Sequence, residues 1–266
     1  MKLRNFLSAA LIMVAASTIA AKEKTDRDIP YSAKTDTYST ERLKVDVSYP
    51  EDAQSAPVVV WFHGGGLEGG SKELPSALRD KGYVLVGVNY RLLPNVRVID
   101  IIDDAAEAVA WAIKNAAKYG GDPSKTVVSG HSAGGYLSMM LCLDKKWLDR
   151  YGVDADSVAA YIPFSGQAIT HFNARKMDGI DPLRPVIDDT APLYWVRPDC
   201  PPLILITGDR ELELYGRYEE NAYLDRMMKL VGHKNTKLLE LDGFDHGGMA
   251  QPAFFILNDY IRKNMH

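Results

Sequence analysis

Residues 126–143 have the sequence TVVSGHSAGGYLSMMLCL, which predicts a strand, a tight turn and a helix in immediate succession. β-Branched residues lead into the turn, and the helix is predicted over residues 135–143. Between them, residues 130–134 match Gly-x-Ser-x-Gly. A serine on such a turn is lifted clear of the sheet, and glycines flank it because a Cβ there would collide with a neighbouring strand or helix. Ser132 is therefore the candidate nucleophile.

Apolar segments alternate in the same way along the rest of the chain. Residues 58–62, with the sequence VVVWF, are typical of a strand buried on both faces of a parallel sheet. Further strands are predicted over residues 43–49, 83–88, 158–164, 203–206 and 237–241, and further helices over residues 74–81, 100–119, 218–231 and 253–263. This order predicts an α/β fold, with a mostly parallel central sheet covered by helices on both faces. The active site is expected at the carboxyl ends of the strands.

Two segments do not follow this alternation. Residues 25–40 are polar and are expected to wrap the surface. Residues 166–198 are irregular and rich in proline and aspartate, and they predict a short cap inserted into a single domain of residues 22–266. The cap holds three candidates for substrate binding, which are His171, Phe172 and Trp195. A solvent-facing position is the favoured alternative for His171, and packing of the cap onto the core is an equal alternative for the aromatic rings.

The first 21 residues have the layout of a secretory signal peptide. Basic Lys2 and Arg4 precede an apolar stretch at residues 6–16, and residues 17–21 then end in small residues. A membrane anchor would need about 20 predominantly apolar residues. We therefore expect residues 1–21 to be removed and the mature protein to be secreted or periplasmic, without stable membrane insertion.

Composition limits the possible partners. The chain has 266 residues, of which 46% are hydrophobic, so it can bury one substantial core. A net charge of -4, without a long cluster of Lys and Arg, argues against nucleic-acid binding. Export would permit disulfides, but Cys142 and Cys200 are the only cysteines, and one bridge or two separate thiols both remain open. The sequence does not indicate an oligomeric state or a metal site.

A glycine-rich loop follows the first buried strand. Its sequence is HGGG, residues 63–66, and glycines there let a substrate approach the backbone closely. Free N–H groups in this loop can converge on a carbonyl oxygen that is becoming an oxyanion. The amides of Gly65, Gly66 and Ala133 are therefore the candidate donors.

With these motifs the chain resembles the α/β-hydrolase esterases related to hormone-sensitive lipase and the secreted carbohydrate esterases, which include feruloyl and acetylxylan esterases. The motifs that carry the resemblance are residues 63–66 (HGGG), 69–72 (GGSK), 88–94 (VNYRLLP), 119–124 (YGGDPS) and 130–135 (GHSAGG). With a C-terminal histidine loop they span most of the chain after residue 21, but not the cap. The resemblance implies a carboxylic ester substrate, a covalent acyl-enzyme, no cofactor, and structural roles for Tyr90, Arg91 and Asp122.

The candidate general base is His246. It lies in the sequence GFDHGG, residues 243–248, after the last predicted strand, which gives the order serine, acid, histidine that is typical of this fold. Imidazole suits the role because it titrates near neutral pH. Of the other histidines, His63 and His131 belong to the motifs above, and His233 lies among polar residues at a helix end.

The orienting acid should follow the strand at residues 203–206. The family pattern resembles G-x-x-D, which places the acid at Glu211 with glutamate in the place of aspartate. Asp209 is the main alternative because it lies nearer the strand end. Asp245 is a weaker candidate, since side chains adjacent in sequence to His246 generally point away from it.

Taken together, these residues predict a serine carboxylic-ester hydrolase acting on short acyl or feruloyl esters of carbohydrates. A peptidase of the prolyl-oligopeptidase type shares the fold, but such enzymes carry a large additional domain. A non-catalytic binding protein built on the same fold is the alternative from a different class. Such a protein would have no need for serine, histidine, acid and oxyanion loop together.

Overall fold

A computed structural model describes residues 22–265, which contain eight strands and seven α-helices. The predicted signal peptide lies outside the described residues. The strands are β1 (Glu23–Pro30), β2 (Lys44–Pro50), β3 (Ala56–Phe62), β4 (Val84–Val88), β5 (Gly121–His131), β6 (Ala160–Phe164), β7 (Leu203–Gly208) and β8 (Thr236–Leu241). The helices are α1 (Thr37–Arg42), α2 (Val98–Asn115), α3 (Ala133–Leu143), α4 (Lys146–Asp149), α5 (Phe172–Met177), α6 (Arg217–Leu230) and α7 (Ala250–Asn264).

The strands form one sheet in the order β1-β2-β4-β3-β5-β6-β7-β8. The pairs β1–β2 and β2–β4 are antiparallel, and every pair from β4 to β8 is parallel. This mostly parallel sheet confirms the predicted α/β class. Its parallel part brings the carboxyl ends of β3, β5, β6, β7 and β8 to one edge.

Both faces of the sheet are covered, as the continuous apolar strands predict. Along β3, Val58, Val60 and Phe62 belong to one buried cluster, to which α2, α3 and α6 contribute. Val59 and Trp61 belong to a second cluster, to which α7 contributes. Because successive side chains of a strand point to opposite faces, these two clusters lie on the two sides of the sheet.

The polar segment at residues 25–40 is more regular than expected. Most of β1 lies in it and pairs with β2, because an edge strand can form backbone hydrogen bonds without an apolar face. Asp36 caps the start of α1 by accepting the N–H of Ser39 at 2.9 Å. Of residues 25–40 only Tyr31 and Ser39 are buried, so the segment lies at the surface as expected.

The prediction of a helix over residues 74–81 is wrong. The structure has only a 3₁₀ turn there, Ser76–Leu78. Pro75 disfavours a helical conformation at the residue before it, and Arg79 is already extended, with ψ of 157°. The segment instead runs against β4, where a Cβ added to Gly87 would lie 2.2 Å from the carbonyl oxygen of Glu73.

Residues 166–198 connect β6 to β7 and contain α5 and a 3₁₀ turn, Pro192–Trp195. Cys142 and Cys200 are buried and unbridged, which is the second of the two alternatives left open by the sequence. Within residues 22–265, none of the helices combines the length and the apolar character needed to cross a bilayer.

Candidate active site

Ser132 lies between β5 and α3 in a conformation that few residues adopt, with φ of 56° and ψ of -112°. Its N–H donates to the carbonyl oxygen of Phe164, at the end of β6, at 2.8 Å. A Cβ added to Gly134 would lie 2.1 Å from the carbonyl oxygen of Phe62, and one added to Gly130 would lie 2.6 Å from the same oxygen. The turn therefore packs against β3 so closely that only glycine fits at these two positions.

His246 comes to Ser132 from the loop after β8. The Ser132 hydroxyl is 2.9 Å from Nε2 of His246, and Nδ1 of His246 is 2.8 Å from Oε2 of Glu213. In the tautomer that fits both contacts, the serine hydroxyl donates to Nε2 and Nδ1–H donates to the carboxylate. The structure thus places Ser132 and His246 in direct contact, although 114 positions separate them in sequence.

The carboxylate partner of His246 is Glu213, and this corrects the expectation of Glu211 or Asp209. After β7 the chain makes a turn in which the N–H groups of Leu212 and Glu213 both donate to the carbonyl oxygen of Asp209. This turn carries Glu213 back toward the sheet, where Oε1 accepts the N–H of Gly208 at 2.9 Å. Glu211 is left exposed by the same turn.

The two other carboxylates considered from the sequence have local backbone partners. Asp209 accepts the N–H of Glu211 at 2.9 Å and the N–H of Gly243 at 2.8 Å. It therefore links the loop after β7 to the loop after β8. Asp245 accepts the N–H of Gly248 at 2.7 Å inside the histidine loop. Both are turn acceptors, a common role for aspartate.

The carboxyl group of Glu213 is ionised across the pH range in which most proteins are stable. Burial by itself would raise the pKa of its carboxyl group, but hydrogen bonds from His246 and Ser165 and the N–H of Gly208 outweigh that effect and lower the pKa to about 2. A charged carboxylate at this position stabilises a positive charge on the His246 ring.

The glycine-rich loop is in position to supply amides. The N–H groups of Gly65, Gly66 and Ala133 donate to no other group within the described part of the chain. Gly65 has a φ of 108°, and a Cβ there would lie 2.3 Å from the carbonyl oxygen of Gly69. Asn173 of α5 donates to the carbonyl oxygen of Gly66 at 2.7 Å. The loop is therefore fixed by other contacts while its amides stay available.

His63, the first residue of this loop, is held by contacts with Tyr90. Its ring stacks on Tyr90 with centroids 4.3 Å apart, and the Tyr90 hydroxyl donates to the carbonyl oxygen of His63 at 2.8 Å. Arg91, the next residue, pairs with the buried carboxylate of Asp104 at 2.7 Å. These contacts give Tyr90 and Arg91 the structural roles that the resemblance implied.

His131, which precedes the nucleophile, contacts the base. Its Nε2 lies 2.7 Å from the carbonyl oxygen of His246, and the two rings are 4.8 Å apart. Burial, followed by the nearby charge of His246, lowers the pKa of His131 to about 4. It is therefore neutral near pH 7 and acts as a hydrogen-bond donor that holds the histidine loop.

The three candidate binding residues of residues 166–198 have different positions. Phe172 lies beside the glycine-rich loop, 3.6 Å from a Cβ added to Gly66, and its ring is 5.4 Å from that of Tyr215. His171 is buried, with 1% of its surface exposed, and accepts the N–H of Asn173 through Nδ1. The expectation that His171 faces solvent was therefore wrong, because it caps the start of α5.

Trp195 contacts the segment just before its own 3₁₀ turn and the start of α4. Its indole N–H donates to the carbonyl oxygen of Asp189 at 2.9 Å, and the ammonium of Lys146 lies 4.5 Å from its ring centroid. It also packs against the main hydrophobic cluster. The structure thus gives Trp195 the packing role that the sequence left open, rather than substrate binding.

Sequence reasoning missed four residues that contact this site, namely Glu213, Ser165, Asn173 and Tyr215. Glu213 carries the most accessible signal, since it is a further carboxylate shortly after β7. The other three are polar or aromatic residues without a motif, and only the folded chain shows what they contact.

One group of carboxylates could be considered for a metal. Within residues 22–265, Asp209, Glu240 and Asp242 offer oxygens that lie within 4.8 Å of one another. Asp209 already accepts two N–H groups, and Glu240 pairs with Arg210 at 2.5 Å. These contacts account for the cluster as part of the loop structure.

Comparison with known proteins agrees with this geometry. The family model described as BD-FAE matches residues 45–176. Esterase LipC of Mycobacterium tuberculosis is 30% identical over 215 residues, which are 72% of this chain and 53% of LipC. In sequence the chain is therefore similar to esterases of the α/β-hydrolase fold. This α/β-hydrolase chain spans about half the length of the curated relatives it matches.

Solved structures share the α/β-hydrolase fold. Thermogutta terrifontis esterase 2, phosphoramylated by tabun, superimposes with a TM-score of 0.70 and 23% identity, covering 90% of this chain and 94% of the other. A truncated carbohydrate esterase from gut microbiota gives a TM-score of 0.72 with 18% identity, covering 91% and 96%. At these identities the likeness establishes the fold.

The assignment of Glu213 can be tested against Glu211 with the same substitution. Glu213→Gln should lower kcat for a p-nitrophenyl ester by about 10,000-fold, because an amide cannot stabilise the imidazolium and favours the wrong tautomer. Glu211→Gln is the matched control and should leave kcat close to that of the wild type, since its side chain is exposed. A larger loss in Glu211→Gln than in Glu213→Gln would overturn the assignment.

Proposed function

We propose that this protein is a carboxylic ester hydrolase that forms an acyl-enzyme on Ser132. One observation carries the proposal: hydrogen bonds of 2.9 and 2.8 Å connect Ser132, His246 and Glu213 in series. A neutral hydroxyl is a poor nucleophile, and an adjacent base that is held by a third group is the arrangement that activates it. The free amides of the glycine-rich loop and Ala133 supply the matching oxyanion site.

In the proposed cycle, Oγ of Ser132 attacks the ester carbonyl carbon while Nε2 of His246 takes the hydroxyl proton. Amides of Gly65, Gly66 and Ala133 hold the oxyanion, and each such donor contributes about 3 kcal/mol in the transition state. His246 gives its proton to the departing alcohol, which leaves an acyl-serine. Water then attacks the acyl carbon as His246 takes its proton, and that proton returns to Ser132 when the carboxylic acid leaves.

The substrates that we propose are short acyl or feruloyl esters of carbohydrates. The BD-FAE match supports this choice, since that family comprises bifunctional feruloyl and acetylxylan esterases. The structural neighbour from gut microbiota, described as a carbohydrate esterase, agrees with it. Phe172 lies beside the glycine-rich loop, and its ring contacts that of Tyr215, so this aromatic pair offers a surface on which an aromatic acyl group can stack.

The first prediction concerns the nucleophile. Ser132→Ala should reduce the hydrolysis of p-nitrophenyl acetate by about 10⁶-fold, as the loss of a triad serine does. A fluorophosphonate probe should add its mass to the wild-type protein and not to Ser132→Ala, measured by intact-protein mass spectrometry. Undiminished hydrolysis by a folded Ser132→Ala protein would refute the acyl-enzyme proposal.

The second prediction concerns the acyl group. Tyr215→Ala should lower kcat/KM for methyl ferulate by about 3- to 10-fold relative to p-nitrophenyl acetate, since an aromatic contact contributes about 1 kcal/mol. Tyr194→Ala is the matched control, because Tyr194 is 55% exposed and Tyr215 is 54% exposed. Equal losses on both esters, or the same selectivity change in Tyr194→Ala, would argue against an aromatic acyl site at Tyr215.

The third prediction concerns export, which we propose from the N-terminal sequence. When the full chain is expressed in a host with a secretory pathway, the exported protein should begin at Lys22. N-terminal sequencing or intact mass of the secreted or periplasmic fraction measures this. A full-length chain that stays in the cytoplasmic fraction would contradict the proposal.

A further inference from the structure

A second serine contacts both partners of the nucleophile. Ser165 follows β6 directly and is completely buried. Its hydroxyl oxygen lies 2.5 Å from Oε1 of Glu213 and 3.0 Å from Nδ1 of His246. Nδ1 is in turn 2.8 Å from Oε2 of Glu213. The three side chains therefore form a closed ring of hydrogen-bonded groups.

The hydrogens available in this ring define each contact. The ionised carboxylate has none, so the Ser165 hydroxyl donates to Oε1 of Glu213. The single hydrogen on Nδ1 of His246 is then shared between Oε2 of Glu213 and the oxygen of Ser165. Both hydrogens are used, and both side chains of the acid–base pair are fixed in rotation by the same hydroxyl.

The length of Glu213 explains why such a contact is useful. Glutamate has one more rotatable bond than aspartate, so its carboxylate needs more contacts to hold one orientation. Oε1 accepts the N–H of Gly208 at 2.9 Å as well as the Ser165 hydroxyl, and Oε2 accepts the N–H of Leu214 at 3.1 Å as well as that of His246. Each oxygen thus has two donors, and Ser165 is the only side chain among them apart from His246.

The backbone of Ser165 adopts a left-handed conformation, with φ of 47°. Its N–H donates to the carbonyl oxygen of Ile206 on β7 at 2.7 Å, and the buried guanidinium of Arg217 donates to its carbonyl oxygen. A non-glycine residue pays a conformational penalty in this region, which glycine avoids. The backbone alone would be better served by glycine, so the hydroxyl is the feature that distinguishes serine here.

We propose that Ser165 is a positioning residue for ester hydrolysis, whose hydroxyl orients Glu213 and His246 so that Nε2 faces Ser132. The proposal rests on the proposed function. Within residues 22–265, the Ser165 hydroxyl is hydrogen-bonded to Glu213 and His246 and not to the glycine-rich loop, so its loss should affect the chemical step rather than substrate binding.

Two substitutions separate the hydroxyl from the backbone. Ser165→Ala and Ser165→Gly both remove the hydroxyl, but only glycine relieves the left-handed backbone. Both should lower kcat by about 10- to 100-fold with KM nearly unchanged, the range expected for a lost hydrogen bond to a charged group. Ser165→Gly should have a higher melting temperature than Ser165→Ala. Wild-type kcat in Ser165→Gly would show that Ser165 is only a backbone element and would overturn the proposal.

Ser138→Ala is the matched control. Ser138 is also completely buried, but its hydroxyl donates to the carbonyl oxygen of Val128 at 3.1 Å, and alanine suits its position in α3. It should keep wild-type kcat. A loss of kcat as large as that in Ser165→Gly would mean that any buried hydroxyl near the sheet has this effect, and it would contradict a specific role for Ser165.

A measurement that does not depend on activity separates this proposal from the proposed function. The downfield proton NMR signal of Nδ1–H in His246 should shift in Ser165→Gly and stay in place in Ser138→Ala. An unchanged signal in Ser165→Gly would overturn the proposed contact even if the enzyme hydrolyses esters. If the signal shifts but the wild type hydrolyses no ester and takes up no fluorophosphonate, the proposed function fails and the catalytic role of Ser165 fails with it.

Discussion

The site depends on the parallel pairing of four neighbouring strands, β5 to β8. Ser132 follows β5, Ser165 follows β6, Glu213 lies in the loop after β7 and His246 in the loop after β8. Parallel strands end at the same edge of a sheet, so residues that are far apart in sequence meet there. The register pairs Phe164 of β6 with His131 on one side and with Ile206 on the other, which places the four loops side by side.

Close backbone contact gives this edge its precision. The turn that carries Ser132 packs against Phe62, the last residue of β3, so closely that there is no room for a Cβ at Gly134. The glycine-rich loop begins at the same strand end, so one contact fixes the spacing between the nucleophile and its oxyanion donors. Asn173 of α5 holds that loop from the other side through the carbonyl oxygen of Gly66. The segment between β6 and β7 therefore supports the site as well as bordering it.

Burial controls which side chains are charged near Ser132. Burial lowers the pKa of His63 and of His131 to about 4, so both rings are neutral near pH 7 and add no positive charge beside His246. Glu213 is also buried, yet hydrogen bonds from neighbouring donors keep it ionised. The negative charge is thus placed where a proton on His246 needs it, and competing charges are removed.

The sequence by itself determined the fold class, the nucleophile turn, the glycine-rich loop and the histidine that meets Ser132, because each has a local pattern. Continuous apolar strands indicate a covered parallel sheet, and glycines mark positions where a Cβ cannot fit. Only the tertiary structure decided the acid, since a turn after β7 selects Glu213 over Glu211 and Asp209. It also decided the positions of His171, Trp195 and Ser165. Those side chains are defined by contacts between segments distant in sequence, and no local pattern encodes such contacts.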